Sequence, residues 1–226
     1  MEISKVIKQR IKDNNGSFFA NENIADYIHD GELELLQQEV QEKLQGVLES
    51  LIIDTDNDHN TIETAKRVSK MYLKEVFKGR YMPRPNITDF PNAKELDEMY
   101  VLGPLKFHSA CSHHMVEIEG EAWIGVMPSE RVIGISKFAR LLDWICSRPH
   151  IQEEMAVMLA DELEQLINPK GLAVLIKAKH HCMTWRGVKQ AESTMVNSVV
   201  RGSVRDEPHL KKEFFDIIRG QGYDSN

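Results

Sequence analysis

The sequence is poor in cysteine, with only three in 226 residues, an odd number. Cys111, Cys146 and Cys182 are also far apart along the chain, which is unlike the cysteine framework of a disulfide-stabilised secreted domain. The N-terminal stretch MEISKVIKQRIKDNNGS contains no apolar segment of the length that a signal peptide needs. We therefore expect reduced thiols and a cytoplasmic location.

Long apolar runs are absent too, since no stretch of about 18 apolar residues occurs. Positive charge is in deficit, with 28 Lys and Arg against 35 Asp and Glu and a net charge of -7. Nonspecific binding to nucleic acid or to an anionic membrane needs a positive field. We expect neither as a partner, and an anionic small molecule would have to meet a local basic cluster.

The first part of the chain has helical periodicity. Apolar residues recur at steps of three and four from Leu33 to Ile52, and this spacing predicts a helix. A second helix is predicted to begin at Asn60 or Thr61 and to end near Gly79. The prolines of RYMPRPNITDFPNA then exclude helix or central strand. These features predict that residues 1–95 form an N-terminal helical region followed by a proline-containing linker.

Residues 96–226 are predicted to form an α+β domain, because the hydrophobic period changes there. MVEIEGEAWIGV alternates around Glu119-Gly120 and predicts a β-hairpin. The remaining predicted elements are helices over 134–145 and 151–167, strands over 172–182 and 195–200, and a last helix over 208–219. This order predicts an antiparallel sheet with helices packed on one face.

Two short segments concentrate metal-binding side chains, CSHH at 111–114 and HHC at 180–182. Cys111 and His114 are three residues apart, so a local turn is needed to bring both to one point. With Cys182 they would supply two thiolates and an imidazole and leave a fourth tetrahedral position open, as in catalytic zinc sites. The alternative is that Cys182 is a small buried apolar residue and that no metal binds.

The other cysteine and histidines are predicted to be structural. Cys146 lies in an apolar helix without ionisable metal-binding neighbours, so we expect it to pack in the core. His181 should point away from its two neighbours. Surface or capping positions are expected for His29, His59, His108, His150 and His209.

Basic side chains are candidates for binding phosphate. Ser136, Lys137 and Arg140 lie at the start of a predicted helix, where free N–H groups and the helix dipole favour anions. Arg186 follows the HHC segment, and Arg67 with Lys70 shares a helix face. A lone Lys or Arg is more often an ordinary solvated charge, but together these side chains could bind phosphate.

Several ordered motifs resemble those of the GTP cyclohydrolase I family, namely ETAKRVSKMY, FHSACSHHMVEIEGEAWIGVMP, VIGISKFAR, RPHIQEE, HHCMTWRGV and EFFDIIR. The resemblance implies a tunnelling fold, an antiparallel sheet backed by two helices, with an N-terminal helical extension. It also implies a toroidal homodecamer with active sites shared between subunits. The implied enzyme converts GTP and water to 7,8-dihydroneopterin triphosphate and formate.

Carried over residue by residue, the resemblance implies that Cys111, His114 and Cys182 hold Zn²⁺, whose water adds to C8 of guanine. It also implies that His113 protonates N7 or positions the zinc water, and that His180 moves protons during ring opening and ribose rearrangement. The implied substrate contacts are Glu153 at the guanine, Gln152, and Ser136, Lys137, Arg140, Arg186, Arg67 and Lys70 at the triphosphate. One position departs from the family pattern, because Ser112 stands where Glu is usual. We expect zinc to bind nevertheless, with altered affinity or water basicity.

Other functional classes fit the sequence less well. A zinc deaminase needs an H-x-E step and a P-C-x-x-C pair, and neither occurs. A zinc finger is disfavoured by the acidic balance and by the ~68 residues between the two clusters. The remaining alternative is a non-catalytic tunnelling-fold protein that binds a purine or pterin, or a regulatory protein with structural zinc. Loss of His113 or His180 would favour it, but both are present.

Overall fold

The computed structural model describes residues 2–223. The chain forms two compact units that divide between Arg84 and Pro85. The segment 85–95, which the sequence assigned to a linker, contributes strand β1, Asp89–Pro91, which pairs antiparallel with strand β4, Arg131–Ile133. No helix among residues 2–223 has both the length and the apolar composition needed to cross a membrane.

The first unit is helical. Its elements are α1 (Ile3–Asp13), α2 (Glu32–Ser50), α3 (Thr64–Met71), a π-helical segment (Tyr72–Val76) and α4 (Lys78–Tyr81). The start predicted at Asn60 or Thr61 for the second helix is wrong. Asp58 accepts hydrogen bonds from the Asn60 N–H and the Thr61 hydroxyl, which holds these residues in turns before α3 begins.

The long helix predicted from Leu33 is confirmed as α2, and only part of its apolar stripe is covered within the unit. Leu36 is buried in a core with Ile7, Ile11 and Leu73. Towards the C-terminal end, Val47 is 53% exposed. Arg10 of α1 binds the Glu32 carboxylate through both terminal nitrogens, at 2.7 and 2.8 Å, and so fixes the start of α2.

The second unit is built on a five-stranded sheet with the order β5-β2-β3-β6-β7. These strands are β2 (Tyr100–Cys111), β3 (Glu117–Met127), β5 (Pro149–His150), β6 (Gly171–His180) and β7 (Met195–Gly202). All neighbouring pairs are antiparallel except the short β2–β5 pair, which is parallel. The predicted α+β fold, a tunnelling fold, is confirmed.

The hairpin predicted around Glu119-Gly120 is wrong, because both residues lie within the continuous strand β3. A Cβ at Gly120 would lie 2.6 Å from the Lys177 carbonyl oxygen, so this glycine permits close strand packing instead of a turn. The actual hairpin joins β2 to β3, and its turn carries the CSHH segment.

Two helices, α5 (Ile135–Cys146) and α6 (Gln152–Ile167), pack on one face of the sheet. The last helix, α9 (Pro208–Gly220), packs on the opposite face around Trp123 and Leu175, contrary to the expectation that helices cover one face only. Two short helices, α7 (His181–Thr184) and α8 (Ser203–Asp206), follow β6 and β7.

Candidate active site

The CSHH segment forms the local turn that the spacing predicts. Cys111 is the last residue of β2, and its carbonyl accepts the Met115 N–H at 2.8 Å. Met115 has a φ of 54°, which closes the turn. The Ser112 N–H donates to the His150 carbonyl at 2.9 Å, so β5 anchors the turn from the side. This geometry brings the side chains of positions 111 and 114 to one point.

Cys182 reaches the same point from β6. The strand predicted to run to Cys182 ends at His180, and Cys182 lies in the short helix α7. Strand β3 separates β2 from β6, and its residue Ile118 pairs with both Ser109 and His180. The ends of β2 and β6 therefore lie at the same edge of the sheet.

The Cys111 and Cys182 sulfurs and a His114 ring nitrogen lie within 4.8 Å of one another. In the part of the chain that the structure describes, no other group of three His, Cys, Asp or Glu side chains is so close. Zn–S and Zn–N bonds of about 2.3 and 2.0 Å place the ligands of a tetrahedral ion roughly 3.4–3.8 Å apart. The donor set and its spacing therefore fit a zinc ion after small side-chain movements.

The electrostatic environment of the Cys182 thiol is compatible with a bound cation. Burial raises the pKa of Cys182, and the nearby Cys111 thiol raises it further, because two thiolates repel each other. Arg186 acts in the opposite direction. A divalent cation would reverse the unfavourable effect, since coordination deprotonates thiols.

Arg186 lies beside the cluster of Cys111, His114 and Cys182, which is called the metal group below. Its Nη1 donates to His114 Nε2 at 3.0 Å, and its side chain is otherwise exposed. A guanidinium can only donate, and a neutral imidazole has a single unprotonated nitrogen. That nitrogen can therefore serve Arg186 or a metal, but not both, so metal binding would release Arg186 for another partner.

His180 is half-buried and lies two residues before Cys182. Its Nε2 is 2.8 Å from Oε1 of Gln152, which is fully buried. Burial lowers the pKa of His180, and the Glu153 carboxylate acts against this decrease. Glu153 is exposed in the first turn of α6. His180, the Glu153 carboxylate and the metal group of Cys111, His114 and Cys182 thus lie in one region.

His113 is exposed and makes an edge-to-face contact with His114, with ring centroids 6.4 Å apart. It lies on the same turn as two of the predicted zinc ligands, Cys111 and His114. Ser112, where a carboxylate was expected, contributes its main-chain N–H to the turn. The carboxylates of Glu117 and Glu119 lie near His181 instead, the latter at 3.4 Å.

Ser136 and Lys137 occupy the first turn of α5, and Arg140 follows one turn later. Ser136 and Arg140 are exposed. Neither Lys137 nor Arg140 forms an ion pair with any residue of 2–223. Among residues 2–223, no hydrogen bond or ion pair joins these three side chains to Cys111, His114 or Cys182. Arg67 and Lys70 lie in the first unit, on exposed positions of α3, and Arg67 pairs with Glu63 at 3.2 Å.

Cys146 is buried in the core with its sulfur 3.3 Å from that of Met155, as the sequence predicts. The surface position predicted for His150 is wrong, because this side chain is fully buried and its Nε2 donates to the Ile145 carbonyl. Burial lowers its pKa to about 4. Its neighbours Arg148 and Pro149 suggested a break in the chain, and nothing in the sequence indicated that the break itself forms a buried strand. The exposed positions expected for His29, His59, His108 and His209 are confirmed.

Sequence comparison identifies the family to which this chain belongs. Residues 40–219 match the family described as GTP cyclohydrolase I. The GTP cyclohydrolase 1 of Brevibacillus brevis is 33% identical over 181 residues, which cover 80% of this chain and 96% of the relative. That of Dehalococcoides mccartyi is 34% identical, covering 82% of this chain and 98% of the relative. That of Edwardsiella ictaluri is 33% identical, covering 80% of this chain and 82% of the relative. The chain therefore belongs to the GTP cyclohydrolase I family, a family of hydrolases.

Proposed function

We propose that this protein is a zinc-dependent enzyme that hydrolyses GTP to 7,8-dihydroneopterin triphosphate and formate. The family assignment supports GTP cyclohydrolase activity. The observation that carries the proposal is the convergence of Cys111, His114 and Cys182, with donor atoms within 4.8 Å, beside His180. Two thiols and one imidazole are a ligand set that leaves one position of a tetrahedral ion for water or substrate.

Cys111, His114 and Cys182 hold the zinc ion. When bound, zinc supplies a Lewis acid that lowers the pKa of water from about 15.7 towards about 7. Two anionic thiolates offset more of the metal charge than neutral imidazoles would. The proton-handling side chains of this chain therefore carry a larger share of the catalysis.

Two histidines handle the protons. Guanine C8 is a poor electrophile until N7 is protonated, and His113, on the exposed side of the turn, donates that proton. His180 moves protons during ring opening and rearrangement of the ribose. Its burial supports this role, since it favours the neutral form that can accept a proton.

Substrate recognition uses one carboxylate and a set of cations. Glu153, exposed at the start of α6, accepts hydrogen bonds from N1 and N2 of guanine, which are both donors. The proposed triphosphate contacts in the second unit are Ser136, Lys137, Arg140 and Arg186. The N-terminus of α5 adds the positive end of the helix dipole. Arg186 becomes available for phosphate when His114 binds the metal.

The assembly is proposed to be a homodecamer with active sites at subunit interfaces, located in the cytoplasm. Three free cysteines among the described residues are compatible with a reducing compartment. Ser112 leaves the zinc ligands intact, and we expect it to alter metal affinity or water basicity and not to abolish binding.

The test is to incubate zinc-loaded protein with GTP and to measure formate together with neopterin fluorescence after oxidation. We expect both products in equal amounts, and neither after removal of the metal with a chelator. If zinc-loaded protein binds GTP and releases neither product, the hydrolase assignment fails, and a non-catalytic purine- or pterin-binding role replaces it.

A further inference from the structure

Gln152 uses its amide entirely inside the protein. This fully buried side chain lies at the first position of α6. Its Nε2 is 3.2 Å from the main-chain oxygens of Ile176 and Met195, and 2.8 Å from Oδ1 of Asn197. These acceptors belong to β6 and β7, so the amide ties the helix to two strands. This differs from the substrate contact that the family resemblance implies for Gln152.

The orientation of the Gln152 amide is determined by these partners. Main-chain carbonyl oxygens can only accept hydrogen bonds, so the NH₂ end must face Ile176 and Met195. The reverse orientation would place an amide oxygen against both carbonyl oxygens, where no hydrogen bond can form. The Oε1 atom of Gln152 therefore faces His180.

This orientation selects one protonation pattern for His180. Its Nε2 lies 2.8 Å from Oε1 of Gln152, and an amide oxygen can only accept, so Nε2 carries the hydrogen. A neutral imidazole has one N–H, which leaves Nδ1 unprotonated. No hydrogen bond to Nδ1 is found within residues 2–223, so its lone pair is not used by the described part of the chain.

We propose that Gln152 is a positioning residue that holds His180 in the Nε2–H tautomer and makes Nδ1 the nitrogen that exchanges protons with the substrate. This rests on the proposed function, in which His180 moves protons. A substrate proton taken up at Nδ1 gives an imidazolium whose Nε2–H still donates to Gln152. The same proton leaves from Nδ1 in a later step, so the ring neither rotates nor gains a net proton.

The tautomer can be measured directly in the zinc-loaded, full-length protein labelled with ¹⁵N-histidine. Long-range ¹H–¹⁵N correlation spectra identify the protonated nitrogen, and H180A assigns the His180 signals. We expect hydrogen on Nε2 in the unaltered protein. Hydrogen on Nδ1 overturns the proposal without any variant at Gln152.

Gln152→Met removes the amide while keeping the length of the side chain. We expect a loss of the single Nε2–H tautomer and a fall in kcat of at least ~10-fold, towards the ~100-fold or larger loss expected for H180A. The KM for GTP should change little. Adding Gln152→Met to H180A should cause no further loss, because Gln152 acts through His180.

Asn197→Ala is the matched control, since it removes one partner of the Gln152 Nε2 and leaves Oε1 beside His180. It should keep the Nε2–H tautomer and nearly all of kcat. Two results overturn the proposal: a folded Gln152→Met protein that retains the Nε2–H tautomer, or losses in Gln152→Met and H180A that multiply in the double variant.

The outcomes separate this proposal from the proposed function. If the unaltered protein forms no formate from GTP, the hydrolase assignment fails whatever the tautomer. If it forms formate while His180 carries its hydrogen on Nδ1, the hydrolase assignment stands and the role of Gln152 is refuted.

Discussion

Glu153 and Glu154 are adjacent residues with the same charge, both exposed in the first turn of α6. Either carboxylate stabilises the helix N-terminus through the dipole, so stability alone does not distinguish them. Their proposed roles differ, because Glu153 lies close enough to His180 to affect its pKa. This pair therefore offers a matched test of guanine recognition.

We predict that Glu153→Ala raises the KM for GTP by at least ~10-fold, because hydrogen bonds from the guanine edge to a charged acceptor are lost. Zinc content should remain unchanged, as measured by atomic absorption. Glu154→Ala should alter the steady-state constants little. Equal effects of the two substitutions would refute the assignment of the guanine contact to Glu153.

At the scale of secondary-structure elements, the helices of the second unit could be predicted and the first hairpin could not. The periodicity of α5 and α6 reflects burial of one face, which single-sequence patterns record well. Glu119-Gly120 resembled a turn, but Gly120 is needed for close packing against Phe107 and the next strand. The role of such a glycine depends on neighbours that are distant in sequence.

The position of α9 could not be predicted from the sequence pattern either. Strand β6 is apolar at every position from Leu172 to Ile176, which indicates burial on both faces. The sequence does not say which element covers the second face. The structure shows that Phe214 of α9 packs over Gly125 of β3, whose missing side chain makes room for the ring.

We predict that Gly125→Ala destabilises the protein by about 1–3 kcal/mol, because the added Cβ would lie 2.6 Å from the Phe214 ring. Gly46→Ala is the control, since this glycine lies within α2 and nothing is within 4 Å of an added Cβ. It should stabilise its helix by about 0.5–1 kcal/mol. Urea unfolding monitored by circular dichroism measures both, and an unchanged midpoint for Gly125→Ala would contradict the packing described for α9.

The junction of α1 and α2 should make stability depend on pH. The Arg10 hydrogen bonds lower the pKa of Glu32 from 4.5 to about 2. A lowered pKa means that the stabilisation is complete above about pH 4.5 and is lost as the pH falls towards 2.

Glu32→Gln should therefore lower stability at pH 6 and have progressively less effect as the pH falls from 4.5 towards 2. Urea unfolding at a series of pH values measures the difference from the unaltered protein. Glu42→Gln changes an exposed carboxylate of the same helix and serves as the control. A difference for Glu32→Gln that stays constant over this range would show that the Arg10 pair does not act as described.

At the scale of the whole molecule, the convergence of Cys111, His114 and Cys182 was predictable although these residues are distant in sequence. Cysteines and histidines cluster close to the ends of only two strands, which limited the choice, and the CSHH spacing required the turn that the structure contains. The use of the Gln152 amide was not predictable, because its partners lie on β6 and β7 and become neighbours only in the folded sheet.

The proposed decamer predicts a particle with ten times the mass of one chain. Light scattering coupled to size-exclusion chromatography measures that mass, and the second unit offers exposed apolar residues such as Ile135 and Trp185 that an interface would cover. An active monomer over a range of protein concentrations would contradict active sites shared between subunits.

X-ray absorption at the zinc edge tests the central claim most directly, because it counts the atoms that surround the metal. The account predicts one zinc per chain with two sulfurs at about 2.3 Å and two nitrogen or oxygen neighbours at about 2.0 Å. Cys182→Ala should lose this zinc, and Cys146→Ala should retain it with the same spectrum. Stoichiometric zinc in Cys182→Ala, or a site closed by four protein ligands, would contradict the proposed catalytic centre.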